Sequence, residues 1–142
     1  MIQDFRDKRG KTLAILVGGG PAPGINGVIA AATVEAMFDL IVDNESVSAR
    51  EEKKIAAGGV DTSDMLINLL REALYLFNGK SWLCKICEIM EMNEEKISAR
   101  LLGEPYDEKK HQLKMEIKAV TYHTLKIEKR ENGWRARVIF DV

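Results

Sequence analysis

The sequence has little of what marks the specialised classes of protein. Its 142 residues include two cysteines, three prolines and 6% aromatic side chains, and neither sign of charge is in excess. The 21 Lys and Arg residues balance 22 Asp and Glu residues to a formal net charge of −1. A molecule with so little net charge has no overall field that would draw it to a nucleic acid or an acidic membrane. We therefore expect no direct nucleic-acid binding, and any contact with a polyanion must be local.

The scarcity of cysteine excludes a secreted domain built on disulfides. The first residues also lack the basic and then apolar pattern of a secretory leader, so we expect a cytoplasmic protein. Cys84 and Cys87 have the spacing of half a zinc site, but no second pair of ligands accompanies them. In an extended strand, residues three apart point to opposite faces of the sheet. We interpret both thiols as structural.

No hydrophobic run is long enough to cross a membrane. Residues 12–34 carry no charge, but glycines and prolines interrupt them after residue 17. A membrane helix needs about 20 uninterrupted apolar residues. The short apolar run at 13–17 instead predicts a buried strand, and the period of apolar residues from Ile25 to about Val42 predicts a helix after it.

The rest of the chain predicts a second helix and a series of strands. The helix should begin at a cap on Asp61 or Thr62 and end at a left-handed Asn78-Gly79. Strands are predicted at residues 82–92, 96–103, 115–121, 122–130 and 134–142, with Asn132-Gly133 as the turn of a hairpin. We predict one α+β domain over residues 1–142, in which an antiparallel or mixed sheet packs with two main helices. Residues 1–11 are expected to be a solvated lead-in, and the N-terminal strand an addition to the sheet.

The two histidines lack the partners of a catalytic site. His123 lies on a predicted strand and His111 in a loop beside two lysines, and no recognisable nucleophile motif accompanies either. We interpret both as structural or surface residues. The basic residues of the last hairpin alternate with acids and apolar residues, which is typical of a solvated face.

The glycine-rich segment at residues 16–27 joins a predicted strand to a helix start, where backbone N–H groups can hold a phosphate. It lacks the Lys and Ser/Thr of a Walker loop and the full spacing of a dinucleotide fingerprint. Over about residues 11–36 it resembles the N-terminus of phosphofructokinases, which reads Gly-Gly-Asp-Ala-Pro-Gly-x-Asn. That resemblance implies that Gly19 and Gly20 contact a phosphoryl donor, and Pro21 stands where most members have aspartate.

The remainder of a phosphofructokinase is missing, including its acidic catalytic motif, so we expect no such activity. Anion binding by the glycine-rich segment is one functional class that the sequence leaves open. In that class the protein is a phosphate-binding or nucleotide-binding module. Another is a chimeric chain without function, in which a foreign strand, loop and helix start complete a truncated sheet.

A second resemblance covers the chain from about residue 37 to its last residue. Its motifs read MFDLIVD at 37–43, LREALYLF at 70–77, GEPYD at 103–107, EIKAVTYH at 116–123 and VIFDV at 138–142. In these segments the sequence resembles archease. The resemblance implies a small α+β accessory protein, itself not an enzyme, that assists the tRNA-splicing RNA ligase by promoting its guanylylation and repeated turnover.

The archease resemblance also implies a divalent metal, Ca²⁺ or Mg²⁺. It places Asp141 as a carboxylate ligand and the carbonyl of Val142 as a second oxygen ligand, both hard donors that suit these ions. The family's first strand reads His-Thr-Ala-Asp and completes the site, and nothing like it is present here. Residues 1–36 therefore look exchanged, as in a chimera with an archease-like segment at 37–142. An exchanged strand also leaves a sheet edge through which two copies could associate.

Two acids near the end of the first predicted helix could replace the missing ligand. Asp39 and Asp43 are four residues apart and would share one helical face. The alternative is that both are solvated carboxylates at a helix end, where the helix dipole disfavours them.

Overall fold

The computed structural model of the chain describes residues 2–6, 12–18, 27–121, 125–130 and 133–142, with the side chains of residues 27–121, 125 and 136–142. Helix α1 spans Gly27–Ile41 and helix α2 spans Thr62–Asn78. A single 3₁₀ turn, Asn44–Ser46, follows α1. Within the described residues, neither helix is long and apolar enough to cross a membrane.

Both predicted helices are confirmed. Helix α1 is mostly apolar and buries residues on several sides, while α2 is amphipathic and buries one face. Asp61 caps α2 as predicted, because its side chain accepts a hydrogen bond from the backbone N–H of Asp64 at 2.8 Å.

The predicted left-handed end of α2 is wrong. Gly79 keeps right-handed backbone angles, with φ −97° and ψ −27°, and its N–H donates to the carbonyl of Tyr75 at 2.8 Å. The left-handed conformation falls on Ser81, with φ 53°. The exposed Tyr75 ring covers Gly79, since a Cβ there would lie 2.3 Å from Cε2 of that ring.

The described residues form eight strands in two sheets, and every pair of strands is antiparallel. The strands are β1 Ile2–Arg6, β2 Thr12–Gly18, β3 Glu51–Gly58, β4 Trp82–Met92, β5 Lys96–Pro105, β6 Ala119–Val120, β7 Lys126–Arg130 and β8 Gly133–Asp141. One sheet has the order β3-β5-β4. The other has the order β1-β2-β8-β6, with β7 also paired to β8. The α+β class is confirmed, and the strands divide between two sheets.

Residues 106–118 lead the chain from β5 back to the five-stranded sheet, and they run along the ends of both helices. Lys114 donates its backbone N–H to the carbonyl of Ile41 at the end of α1, and Asn78 of α2 holds the carbonyl of Ile117. As a result, the strand predicted at 115–121 is reduced to Ala119–Val120. Of the strand predicted at 122–130, residues 126–130 form β7 and 122–124 lie outside the described residues.

The N-terminal strand joins the sheet as predicted. Strand β2 pairs with β8 over its whole length, from Thr12 opposite Asp141 to Gly18 opposite Arg135. The interpretation of residues 1–11 as a lead-in is wrong for residues 2–6, which form β1 and pair with β2. A sheet ladder is made by backbone groups, so the charges of Asp4 and Arg6 do not prevent pairing at an edge.

The predicted C-terminal hairpin is confirmed, with its turn displaced by one residue. Arg130 pairs with Gly133, so Gly133 is already the first residue of β8. The two residues that connect the strands are 131 and 132, and these lie outside the described residues.

One hydrophobic core joins both sheets and both helices. It includes Phe38 of α1, Leu69 of α2, Leu101 of β5 and Phe140 of β8, each at most 1% exposed. Helix α1 packs on β4 and β2, and α2 packs on β3, β4, β5 and β6.

Candidate functional site

The end of β8 carries the predicted metal ligands. Asp141 is the last residue of the strand and its side chain is exposed, while Val142 is half-buried against the core. The backbone of Asp141 is fixed from two sides: it is opposite Thr12 of β2 and Ala119 of β6. Its carbonyl accepts the N–H of Lys118 at 2.7 Å. The carboxylate therefore projects from a rigid backbone position.

Asp141 is not part of a metal-binding cluster of acids, histidines and cysteines in the described part of the chain. A group of three such residues close enough to hold a metal ion is absent from the described residues. Asp141 and Val142 are thus two oxygen donors, fewer than the six to eight that Ca²⁺ takes.

Asp39 and Asp43 do not lie on one helical face, because α1 ends at Ile41. Asp43 has extended backbone angles, with φ −64° and ψ 104°, and caps the 3₁₀ turn by accepting the N–H of Glu45 at 3.3 Å. It is exposed, as expected of a solvated carboxylate at a helix end.

Asp39 differs from that expectation because it is half-buried. Burial raises the pKa of its carboxyl group, although contacts with Asn44, Lys114 and Lys85 act in the opposite direction. Its Oδ1 atom is buried and has no hydrogen-bond partner. The Lys114 ammonium, which could have paired with it, instead donates to the backbone carbonyl of Asp39 at 2.6 Å.

An ion network surrounds a buried carboxylate near the end of β5. We call it the Glu104 cluster; it consists of Ser48, Arg50, Glu104, Lys110 and His111. The Glu104 side chain is 1% exposed and accepts from the Ser48 N–H at 2.8 Å, Arg50 Nε at 2.7 Å and Lys110 Nζ at 2.7 Å. His111 Nε2 lies 2.9 Å from the same carboxylate.

The donors around Glu104 keep it ionised. Burial is the largest single influence and opposes ionisation, but the hydrogen bonds from Lys110, Ser48, His111 and Arg50 together outweigh it. The pKa of Glu104 is consequently far below its ordinary value. His111 Nδ1 accepts the N–H of Asp107 at 2.9 Å, so the ring carries its proton on Nε2 and donates it to Glu104.

The Glu104 cluster fastens three parts of the chain to one another: the end of β5, residues 48–50 and residues 107–111. The interpretation of His111 as structural fits this position, but a surface location does not, because the residue is 4% exposed. The alternation of β5 gave no signal, since Gly103 and Glu104 are consecutive and both buried. His123, the other histidine, and Gly19 and Gly20 of the glycine-rich segment lie outside the described residues.

The two cysteines are also structural, as interpreted, but they do not face opposite sides of the sheet. Cys84 pairs with Gly103 and Cys87 with Leu101, two residues apart on β5, because a β-bulge lies between Cys84 and Ile86. Both thiols are free and buried. Burial raises the pKa of both, with Glu35 contributing, and that of Cys87 reaches about 12.

The sequence of this chain is similar to those of archeases. The model of the archease protein family matches residues 22–142. Protein archease of Methanosarcina mazei is 39% identical over 111 residues, 75% of this chain and 76% of the relative. Protein archease of Methanopyrus kandleri is 35% identical over 76% of this chain and 79% of its own length. A protein archease-like of Drosophila melanogaster is 33% identical over 75% of this chain and 72% of its own length.

Two solved structures share the fold. One is the solution structure of protein 1598 of Methanobacterium thermoautotrophicum. The match spans 99% of this chain and 98% of that protein's chain, with TM-score 0.76 and 23% identity. Another is the crystal structure of an archease from Thermotoga maritima, described as a possible chaperone. The match spans 100% of this chain and 98% of that protein's chain, with TM-score 0.52 and 21% identity. With the family model matched over residues 22–142, the chain belongs to the archease family.

Proposed function

We propose that this archease is an accessory protein of the tRNA-splicing RNA ligase in the cytoplasm, where it promotes guanylylation and repeated turnover of that enzyme. The observation that carries the proposal is membership of the archease family across residues 22–142. The related structure described as a possible chaperone supports a role in assisting another protein.

The test is the number of ligations that each ligase molecule completes with GTP and a divalent metal. With the protein present we expect many turnovers, and with the ligase alone few. A matched control is the protein unfolded by heat and added at the same concentration. Equal turnover with and without the folded protein would contradict the proposed function and leave the family assignment intact.

We propose further that Asp141 and the Val142 carbonyl supply oxygen ligands to a divalent ion, Ca²⁺ or Mg²⁺. The donors fit in kind, because both are hard oxygens and the Asp141 backbone is held by β2, β6 and Lys118. Two protein donors are fewer than the ligands that either ion takes, so the bound ion would keep several water molecules. When bound, it would supply positive charge at the end of β8.

Calorimetric titration of Asp141→Ala with Ca²⁺ and with Mg²⁺ tests this ion site. We expect weaker binding than in the unchanged protein, because a charged oxygen ligand is removed. Glu91→Ala is the matched control, since it removes an exposed carboxylate from β4. The same affinity in the protein with and without Asp141→Ala would rule out the ligand role of Asp141.

The foreign origin of residues 11–36, and the phosphate contacts of Gly19 and Gly20, stay predictions. The family match begins at residue 22 and so includes all of α1. This supports an exchanged segment that ends before residue 22. Titration with ATP and pyrophosphate tests anion binding by the glycine-rich segment. A saturable response abolished by Gly20→Ala would favour it, and no response would exclude it.

A further inference from the structure

A second concave site lies between α2 and the chain segment that leads into β6. The cavity is about 290 Å³ in volume. One wall is a single face of α2, made by Arg71, Leu74, Tyr75 and Asn78, which are spaced three, four and seven residues from the first. The opposite wall is residues 118–120. None of these residues belongs to the Glu104 cluster or is one of the proposed metal ligands.

The walls of this cavity are held in place by hydrogen bonds. Arg71 donates from Nε and Nη2 to the carbonyl of Val120, at 3.2 and 3.1 Å. Asn78 Nδ2 donates to the carbonyl of Ile117 at 3.0 Å. The Lys118 N–H is bonded to the carbonyl of Asp141 in β8. The segment is therefore clamped to α2 on one side and to a sheet on the other, and the cavity does not depend on a mobile loop.

The charges that line the cavity are of one sign. Among the described residues that form it, Arg71 and Lys118 are charged and none is acidic. The Arg71 guanidinium has five N–H donors and is oriented by Val120, while the Lys118 ammonium has three. A cavity that is lined by two cationic residues and has walls held by hydrogen bonds is suited to a phosphate group.

An aromatic ring extends the site beyond the cations. Tyr75 lies one helical turn after Arg71 and is 56% exposed. One edge of its ring lies against Gly79, where a Cβ atom would be 2.3 Å from Cε2 of Tyr75. An exposed aromatic ring next to a phosphate site is the arrangement on which nucleobases stack. Asn78 Oδ1 adds a hydrogen-bond acceptor, because the Ile117 carbonyl occupies only the amide nitrogen.

We propose that this cavity binds the phosphate group of a nucleotide, with Arg71 and Lys118 as its cationic contacts and the Tyr75 ring stacked against the base. The ligand is a free nucleotide or one nucleotide of an RNA strand, which share this chemistry. The site uses neither the glycine-rich segment nor Asp141, so its test is separate from those of the ligase and metal proposals.

The test is a titration of the isotope-labelled protein followed by amide NMR signals. The probes are AMP, GMP, adenosine, inorganic phosphate and a short single-stranded oligoribonucleotide. We expect saturable shifts at residues 71–78 and 118–121, with AMP or GMP binding more tightly than phosphate or adenosine alone. Tighter binding of the oligoribonucleotide would assign the ligand to RNA, and tighter binding of the mononucleotide would assign it to a free nucleotide.

Substitutions separate the two parts of the proposed site. Lys118→Gln should weaken AMP and phosphate alike by about tenfold, because a charged hydrogen bond is lost. Tyr75→Leu should weaken AMP by about fivefold and leave phosphate unchanged, whereas Tyr75→Phe should bind AMP normally. Lys96→Gln, at an exposed lysine of β5, is the matched control.

Two results would overturn the proposal. One is the absence of saturable shifts at residues 71–78 and 118–121 at millimolar nucleotide. The other is equal affinity of Lys118→Gln and Lys96→Gln for AMP. Because Lys118 and Tyr75 are exposed, neither variant should lose the fold, and the amide spectrum itself reports whether each one is folded.

Discussion

Gly103 sets the separation of two strands by having no side chain. A Cβ atom at this position would lie 1.8 Å from the backbone carbonyl oxygen of Leu83 in β4, a contact that no side-chain rotation can relieve. The two strands pair here through Cys84, at the start of the bulge in β4. Glycine is thus required by the close approach of two backbones.

We predict that Gly103→Ala destabilises the protein by about 3 kcal/mol, because the strands must separate to admit one methyl group. Gly27→Ala is the matched control, since its Cβ would meet Ile89 at an ordinary 3.5 Å. That change should be neutral or slightly stabilising. Chemical denaturation of both variants measures the difference, and equal stability would refute the role of Gly103.

Glu104 gives the protein a defined response to acid. Its folded pKa is lower than that of the unfolded chain, so the carboxylate stabilises the fold at every pH above the ordinary glutamate value. As the pH falls below that value, the unfolded chain takes up a proton first. The stabilisation is lost progressively on the way down to the lowered pKa.

We predict that Glu104→Gln lowers the melting temperature by about 5 °C near neutral pH, because several charged hydrogen bonds weaken. The deficit should shrink as the pH is lowered from about 6 to about 3, since the unchanged protein loses the same contribution. Glu88→Gln, at an exposed carboxylate paired with Arg100, should change the melting temperature far less. A deficit that is constant with pH would contradict this account.

At the scale of elements, β4 shows why its two cysteines belong to the core. The bulge between Cys84 and Ile86 turns both thiols to one face, and the N–H of Cys87 at this edge strand is taken by Glu35 of α1 at 3.0 Å. Helix α1 thereby covers part of an edge that could otherwise pair with another chain.

We predict that neither cysteine reacts appreciably with a thiol reagent in the native protein near neutral pH. Both are buried, and burial raises their pKa values, so the reactive thiolate is scarce. After unfolding, the reagent should modify both cysteines, which is two thiols for each protein molecule. Rapid modification of the native protein would show that β4 opens far more readily than its packing indicates.

Elements with local signals could be predicted from the sequence. The cap at Asp61, the apolar period of α1 and the hairpin at Gly133 depend on neighbouring residues, and all three are present. Features set by distant partners could not be predicted. The bulge in β4, for example, exists only in the pairing of β4 with β5.

The same distinction holds for the candidate site. Asp141 was identified by the family resemblance, and its place at the end of β8 follows from the alternation of that strand. The Glu104 cluster was missed because its donors lie up to 56 residues away in the sequence. The cavity beside Arg71 was missed too, since it exists only where α2 meets residues 118–120.

At the scale of the whole molecule, the two sheets share one core. Phe140 of the five-stranded sheet and Leu101 of the three-stranded sheet are both fully buried in the same hydrophobic cluster, with Phe38 and Leu69 of the helices. Neither sheet has a separate interior, so neither should melt alone.

We predict a single unfolding transition. Fluorotryptophan incorporated at Trp82 in β4 and Trp134 in β8 gives one NMR signal for each sheet, and both signals should change at the same denaturant concentration. Phe140→Ala should lower both midpoints together, by about 3 kcal/mol or more in stability. Two separate midpoints would show that the sheets are independent units.

The position of β8 also sets the order in which the molecule can be assembled during synthesis. This strand holds β2 on one side and β6 and β7 on the other, yet the ribosome makes it after all three. The sheet β3-β5-β4 and helix α2 are complete once residue 105 has emerged. Strands β1 and β2 are made first and can pair with each other, but the second edge of β2 stays without its partner until β8 is made. An unpaired strand edge is a template for pairing with another chain, so this edge of the nascent protein is open to association until synthesis reaches residue 141.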